Sequence, residues 1–196
     1  MHSPLGLAAA TAAAVLLALP APAPAAGAPA AAPAACVSGG ARDSRGNSSV
    51  DGSEIMWEDE TRFDDAIGHA HRVWSSGTLT RVRLRADTTT AIADLQWRDV
   101  DRTDGSWANR LAQWAPHTGA DNIYLNRGLL DAGRRYGAPE HRRRAAAHEL
   151  GHALGFCHKS ERDGRSLLWA DYRALEAAGS TAPTERDIRN YHLLWG

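Results

Sequence analysis

The densest chemistry in the chain lies in eleven consecutive residues, His148-Glu149-Leu150-Gly151-His152-Ala153-Leu154-Gly155-Phe156-Cys157-His158. Residues four apart on a helix share a face, about 5–6 Å from one another. His148 and His152 can therefore present two imidazoles to one metal ion. Glu149 sits about 100° further round the helix than His148, where its carboxylate reaches water at the metal without ligating the ion. Gly155 tolerates a left-handed backbone; there it ends the helix and reverses the chain, so that His158 supplies a third nitrogen. Three imidazoles and one open position describe a catalytic zinc site, not a closed structural one. Zinc lowers the pKa of its bound water from about 15.7 towards ~7 and polarises a substrate carbonyl. Glu149 is the expected general base, taking the proton of that water and delivering it to a leaving amine. No Gly-x-Ser-x-Gly sequence is present, which argues against a serine-hydrolase elbow.

The elements that must position these residues follow from apolar spacing. Pro139 opens a helix that can run to about residue 154. Residues 53–57 read as a short strand. Thr61 reads as an N-cap with Asp64 three residues on, followed by the stripe Phe63, Ala66, Ile67, Ala70 and Trp74 and a stop at Gly77. Residues 79–84 alternate Leu or Val with Thr or Arg, the period of a half-buried strand. Residues 91–97 form another strand candidate, and 110–115 and 122–126 are two more. Near the end, Thr184 with Asp187 caps a stripe of Ile188, Tyr191, His192 and Trp195. Strands interleaved with one helix, then helices alone, imply an α/β layer with a smaller helical lobe.

The chain has 196 residues with 22 basic and 23 acidic side chains, a formal net charge of −1. That balance leaves no footprint for nucleic acid and no polybasic membrane anchor. The first 35 residues contain no Asp, Glu, Lys or Arg. Within them residues 5–19 are an apolar run, too short for a membrane span of about 20 residues but suited to a signal-peptide core. The expected organisation is a signal peptide over 1–25, an Ala/Pro-rich linker and N-terminal segment over 26–52, and the catalytic domain over 53–196. The expected destination is extracellular, with no stable membrane insertion. Cys36 and Cys157 are the only cysteines, an even count that suggests a disulfide in an exported protein. Acylation of Cys36, a Cys36 thiolate capping the metal, and two free thiols remain open alternatives. Asp99, Asp101 and Asp104 with Gly105 offer carboxylate oxygens of the kind calcium takes. Their spacing fits no full calcium loop, so calcium is unsupported and solvated turn residues are the better reading.

The run His148-Glu149-x-x-His152-x-x-Gly155-x-x-His158 resembles the long zinc motif of the metzincin metallopeptidases, and residues 53–196 look most like the matrixin branch in a short, bacterial-type secreted form. Residues 63–74 are similar to that family's first helix. Leu111-Ala112-Gln113-Trp114-Ala115-Pro116 looks like its edge strand, Ile123-Tyr124-Leu125-Asn126 like the next strand, and 187–196 like its closing helix. The resemblance implies an α+β, metzincin-like zincin: a twisted mixed sheet with two helices in an upper lobe, and a small helical lower lobe. It implies an endopeptidase holding one catalytic Zn2+ and acting as a monomer. A peptide or protein substrate would pair its backbone with Leu111, Ala112, Gln113 and Trp114 by strand addition. Tyr172 matches a position lining the pocket for the residue after the scissile bond, with a core-facing Tyr the equal alternative. Leu168 stands where the family's turn methionine belongs, with similar volume and apolarity. Gln113 and Tyr124 occupy the places of two structural-zinc histidines, so no second zinc is expected. A non-catalytic zinc-binding secreted module on the same scaffold is the alternative, with Leu168 its hint.

Overall fold

Leu95 and Trp97 alternate with Gln96 and Arg98, and Ile123 and Leu125 with Asn122 and Tyr124. In a strand, successive side chains point to opposite faces. These two segments accordingly form the centre of a sheet with one face sealed: Leu95, Trp97, Ile123 and Leu125 are fully buried. The computed structural model describes residues 42–196. The sheet comprises β1 (Glu54–Asp59), β2 (Arg83–Ala86), β3 (Leu95–Val100), β4 (Ala112–Ala115) and β5 (Asp121–Asn126), in the order β2-β1-β3-β5-β4. All neighbours run parallel except β4, which pairs antiparallel with β5 and forms one edge.

Two helices pack on the sealed face, α1 (Asp64–Trp74) and α3 (Pro139–Ala153); a single turn, α2 (Arg127–Leu130), precedes the second. The face of α3 turned inward is mostly small: Ala145, Ala146, Ala147, Gly151 and Ala153 are buried. Small side chains let α1 approach closely, and the Trp74 indole N–H donates to the Ala147 carbonyl at 2.7 Å. Beyond α3 lie α4 (Tyr172–Ala177) and α5 (Glu185–Trp195). The expected capping box of α5 is formed by Thr184 and Asp187. The mixed α+β arrangement matches the expectation; among the described residues no helix is long and apolar enough to cross a membrane.

Three details differ from the sequence reading. Helix α1 starts at Asp64 with Phe63 at its N-cap position, because the Thr61 hydroxyl accepts the Phe63 N–H at 3.0 Å instead of capping the helix. Of residues 79–84 only Arg83 and Leu84 join a strand. Leu79 and Val82 are buried, and the Val82 N–H is taken by the Tyr191 hydroxyl at 2.7 Å, leaving none for a ladder. Residues 42–52, expected as a segment ahead of the domain that starts at residue 53, pack on it: Ser44 N–H donates to Gly155 O at 2.9 Å and Ser49 N–H to Ala153 O at 2.8 Å. Among the candidate calcium acids, Asp99 meets Arg62 and Arg127, Asp101 meets Arg127, and Asp104 meets Arg102, so each is answered by a cation. The region expected to be a signal peptide, and Cys36, lie outside the described residues.

His71 on α1 lies against Trp57 at a ring separation of 4.2 Å and Trp97 at 5.6 Å. Burial lowers its pKa from 6.5 to about 4. Between those values the unfolded chain binds a proton that the fold refuses, so stability rises with pH across that window and is lost as pH falls through it. His71→Phe is expected to reduce the pH slope of unfolding free energy there by up to about 1.4 kcal/mol per unit. Urea titrations at several pH values check this; equal slopes for the two proteins refute it.

Candidate metal centre

His148 and His152 lie one turn apart near the end of α3, and the chain then reverses at Gly155, whose φ is 88°. A side chain there would be strained, and a Cβ would lie 2.5 Å from the Ser44 carbonyl oxygen. The reversal brings His158 back under the helix. The Nε2 atoms of His148 and His152 are 3.1 Å apart, and those of His148 and His158 are 3.2 Å apart. Together the three side chains form a group able to hold a metal ion.

The other ring nitrogens decide what these short separations mean. Nδ1 of His148 lies 2.7 Å from Leu167 O, and Nδ1 of His152 lies 2.7 Å from Phe156 O. Carbonyls only accept, so each Nδ1 carries the proton and each neutral ring leaves Nε2 as an acceptor. The rings are neutral near pH 7: burial lowers the His148 pKa and takes that of His152 well below 6.5, and burial followed by the His148 charge takes that of His158 to about 4. The Nε2 atoms of His148 and His152 are thus two acceptors facing one another, not a hydrogen bond. They repel unless a cation lies among them, and two nitrogens on a tetrahedral zinc would be separated by about 3.3 Å. The donor set and its spacing therefore fit a divalent ion.

A second layer holds these rings. Asp187, 2% exposed, accepts Leu167 N–H at 2.8 Å and the Ser166 hydroxyl at 2.5 Å. The same Leu167 supplies the carbonyl that orients His148. Below, Leu168 is buried with its methyl carbons 2.9 and 3.1 Å from where a Cβ on Gly151 would be. Leu168 thus forms an apolar floor against α3, and glycine at 151 is what admits it.

Glu149 is buried beside the triad, and its Oε2 accepts the Trp114 backbone N–H at 2.6 Å. Burial raises its pKa to about 7, opposed by the Trp114 hydrogen bond and then by the Arg110 charge. A cavity of about 450 Å³ opens next to it, bounded by Arg110, Leu111, Ala112, Ala145, Tyr172 and Leu175. Leu111 O accepts Asn126 N–H at 2.8 Å. Pairing alternates along an antiparallel edge, so Ala112 and Trp114 turn their backbone groups away from β5.

Of the expected substrate contacts, Leu111, Ala112 and Tyr172 border the cavity. Gln113 does not; it shares the outer sheet face with Tyr124 and accepts from Arg110 at 2.5 Å. Trp114 also departs from the expectation. Its ring is 6% exposed with Nε1 donating to Ser49 Oγ, and its outward N–H is already held by Glu149. Arg110 and Leu175 border the cavity without having been singled out, since neither lies in a spaced motif. Asp187 was legible only as a helix cap. Cys157 is buried and disulfide-bonded; its expected partner lies outside the described residues.

No family model matches the chain, and no curated protein matches it. Among solved structures it is similar to high choriolytic enzyme 1, a hatching enzyme zinc-protease from Oryzias latipes (Medaka fish). The identity is 20% and the TM-score 0.34, over 54% of this chain and 44% of that one. The chain therefore spans less than half the length of that protein.

The contact of Leu168 with α3 at Gly151 gives a direct test. Leu168→Ala is expected to cost about 2–5 kcal/mol through the void it leaves. Leu168→Met is expected to cost less than about 1.5 kcal/mol and to keep the metal content of the parent. Denaturant unfolding and elemental analysis of purified protein measure both; a Met variant that loses the metal would contradict the role given to Leu168.

Proposed function

We propose that the chain is a secreted zinc-dependent endopeptidase, with His148, His152 and His158 as metal ligands and Glu149 as the catalytic acid–base. The observation that carries the reading is the convergence of three imidazoles, with Nε2 of His148 3.1 Å from that of His152 and 3.2 Å from that of His158, beside a buried carboxylate. Secretion rests on the apolar run at residues 5–19. When bound, zinc supplies Lewis acidity towards a carbonyl oxygen and acidifies water.

The remaining work falls to the protein. With Oε2 of Glu149 held by Trp114 N–H, Oε1 is the oxygen available to take a proton from attacking water and pass it to the departing amide nitrogen. Burial keeps that carboxylate basic enough for proton transfer near neutrality. Ala112 is the point of the β4 edge where an extended peptide can hydrogen bond, because the Trp114 N–H is occupied. Such pairing fixes the peptide backbone across the cavity, and its side chains then enter the pocket. No Cys or Ser nucleophile is required.

Glu149→Gln is expected to retain one equivalent of zinc and an unchanged fold while lowering peptide cleavage by about 10²–10⁴-fold. The parent is expected to cleave casein in a manner abolished by chelator and restored by zinc. Zinc bound at one equivalent with no turnover of casein or of diverse peptides would refute the enzymatic reading and support a binding module. Full activity in Glu149→Gln would refute the role of that residue.

A further inference from the structure

Arg144 lies one helical turn before His148 and is 4% exposed. Its Nε donates to Ser180 O at 3.1 Å, and one terminal nitrogen donates to the Tyr172 hydroxyl at 3.1 Å. Both partners are neutral, and among the described residues no carboxylate pairs with this guanidinium. That is unusual chemistry for an interior, where charges are ordinarily neutralised by a partner. The Tyr172 hydroxyl it touches also meets His141 Nδ1 at 2.7 Å, and Tyr172 borders the cavity beside Glu149.

A second cation borders the same cavity. Arg110 is exposed, its guanidinium donates to the Gln113 amide oxygen at 2.5 Å and lies 5.7 Å from the Trp107 ring. Its partners are again neutral, in contrast to Arg62 and Arg127, which meet carboxylates nearby. Among the residues that line the cavity the one acid is Glu149, and its Oε2 is engaged by Trp114 N–H. Two cations that make no ion pair among the described residues thus bear on one pocket, where the Arg110 charge also acts on Glu149 and that of Glu176 on the Tyr172 hydroxyl.

From this arrangement we infer that the cavity beside Glu149 selects an acidic side chain of the peptide, with Arg110 as the contacting cation and Arg144 as a positioning residue acting through the Tyr172 hydroxyl. The inference rests on the proposed peptidase reading and adds a substrate class to it. A glutamate or aspartate entering from a peptide laid along Ala112 supplies the directly contacting carboxylate that neither arginine has among the described residues. A charge-assisted hydrogen bond of this kind is worth roughly tenfold in affinity or more. A lysine at the same position meets like charge.

The test uses the zinc-loaded protein and quenched fluorescent peptides in which each position flanking the cleaved bond is in turn Glu, Gln, Leu or Lys. At one position Glu is expected to exceed its isosteric neutral partner Gln by about tenfold in kcat/KM, with Lys slowest. Arg110→Gln is expected to bring the Glu/Gln ratio towards one, and rising salt is expected to lower it in the parent. Tyr172→Phe is expected to lower the ratio mainly through KM, which loss of packing alone would not do selectively. A ratio near one at every position, a preference for Leu, or an Arg110→Gln variant that keeps the ratio would overturn the inference. The same peptides bearing fluorescein, measured by equilibrium anisotropy, read the Glu/Gln ratio without turnover. Absence of cleavage with the ratio intact counts against the peptidase reading alone; equal binding of Glu and Gln peptides counts against this inference alone.

Discussion

Three imidazoles brought together on one helix and the reversal that follows it form the constraint on which the molecule turns. Each of two imidazoles commits its Nδ1 proton to a backbone carbonyl, His148 to Leu167 and His152 to Phe156. That choice of tautomer leaves lone pairs pointing at one another inside a buried site. Burial then removes the easy remedy of protonation, because a charged imidazolium would be poorly solvated there. A divalent cation would resolve the conflict, and the rest of the fold can be understood as what keeps the rings from moving apart.

The holding structure is layered. The sheet and α1 fix α3 through a seam of small residues, so the first two histidines inherit the rigidity of the core. The third depends on a reversal at Gly155 that is closed by Ser44, a residue more than a hundred positions earlier in the chain. Asp187 reaches from the closing helix to hold Leu167, whose carbonyl in turn aims His148. Outer partners of this kind set ring orientation and ligand basicity as much as the ligands themselves do. Leu168 fills the space beneath, and its fit depends on the missing side chain at Gly151.

Glu149 joins the two sides of the cleft. It projects from α3 and accepts a backbone hydrogen from β4, so the carboxylate and the strand that borders the cavity are held in register. The same bond occupies the outward N–H of Trp114 and leaves Ala112 with its backbone groups on the open edge. The pocket that follows is bounded by apolar walls yet overseen by two arginines whose partners are neutral. Its electrostatic character comes from side chains that reach it from three separate segments of the chain.

The residues of the candidate metal centre were legible from the sequence because their geometry is local: His148, Glu149 and His152 share one helix, and Gly155 and His158 follow within six residues. The capping box at Thr184 and Asp187 was legible for the same reason, as were most strands, whose alternation survives in the buried face. Where a distant partner intervened, the reading failed. Thr61 turned its hydroxyl to Phe63, Val82 gave its N–H to Tyr191, and residues 42–52 found backbone partners at the end of α3. None of these competitions leaves a periodic trace. The sequence by itself determined the histidine group able to hold a metal and the carboxylate beside it, since i, i+4 spacing and a glycine stop are properties of a few neighbouring bonds. Only the tertiary structure decided which way Trp114 and Gln113 face, which carbonyls set the tautomers, and which arginines make no ion pair among the described residues, because those outcomes depend on atoms far apart in the chain meeting at hydrogen-bond distance.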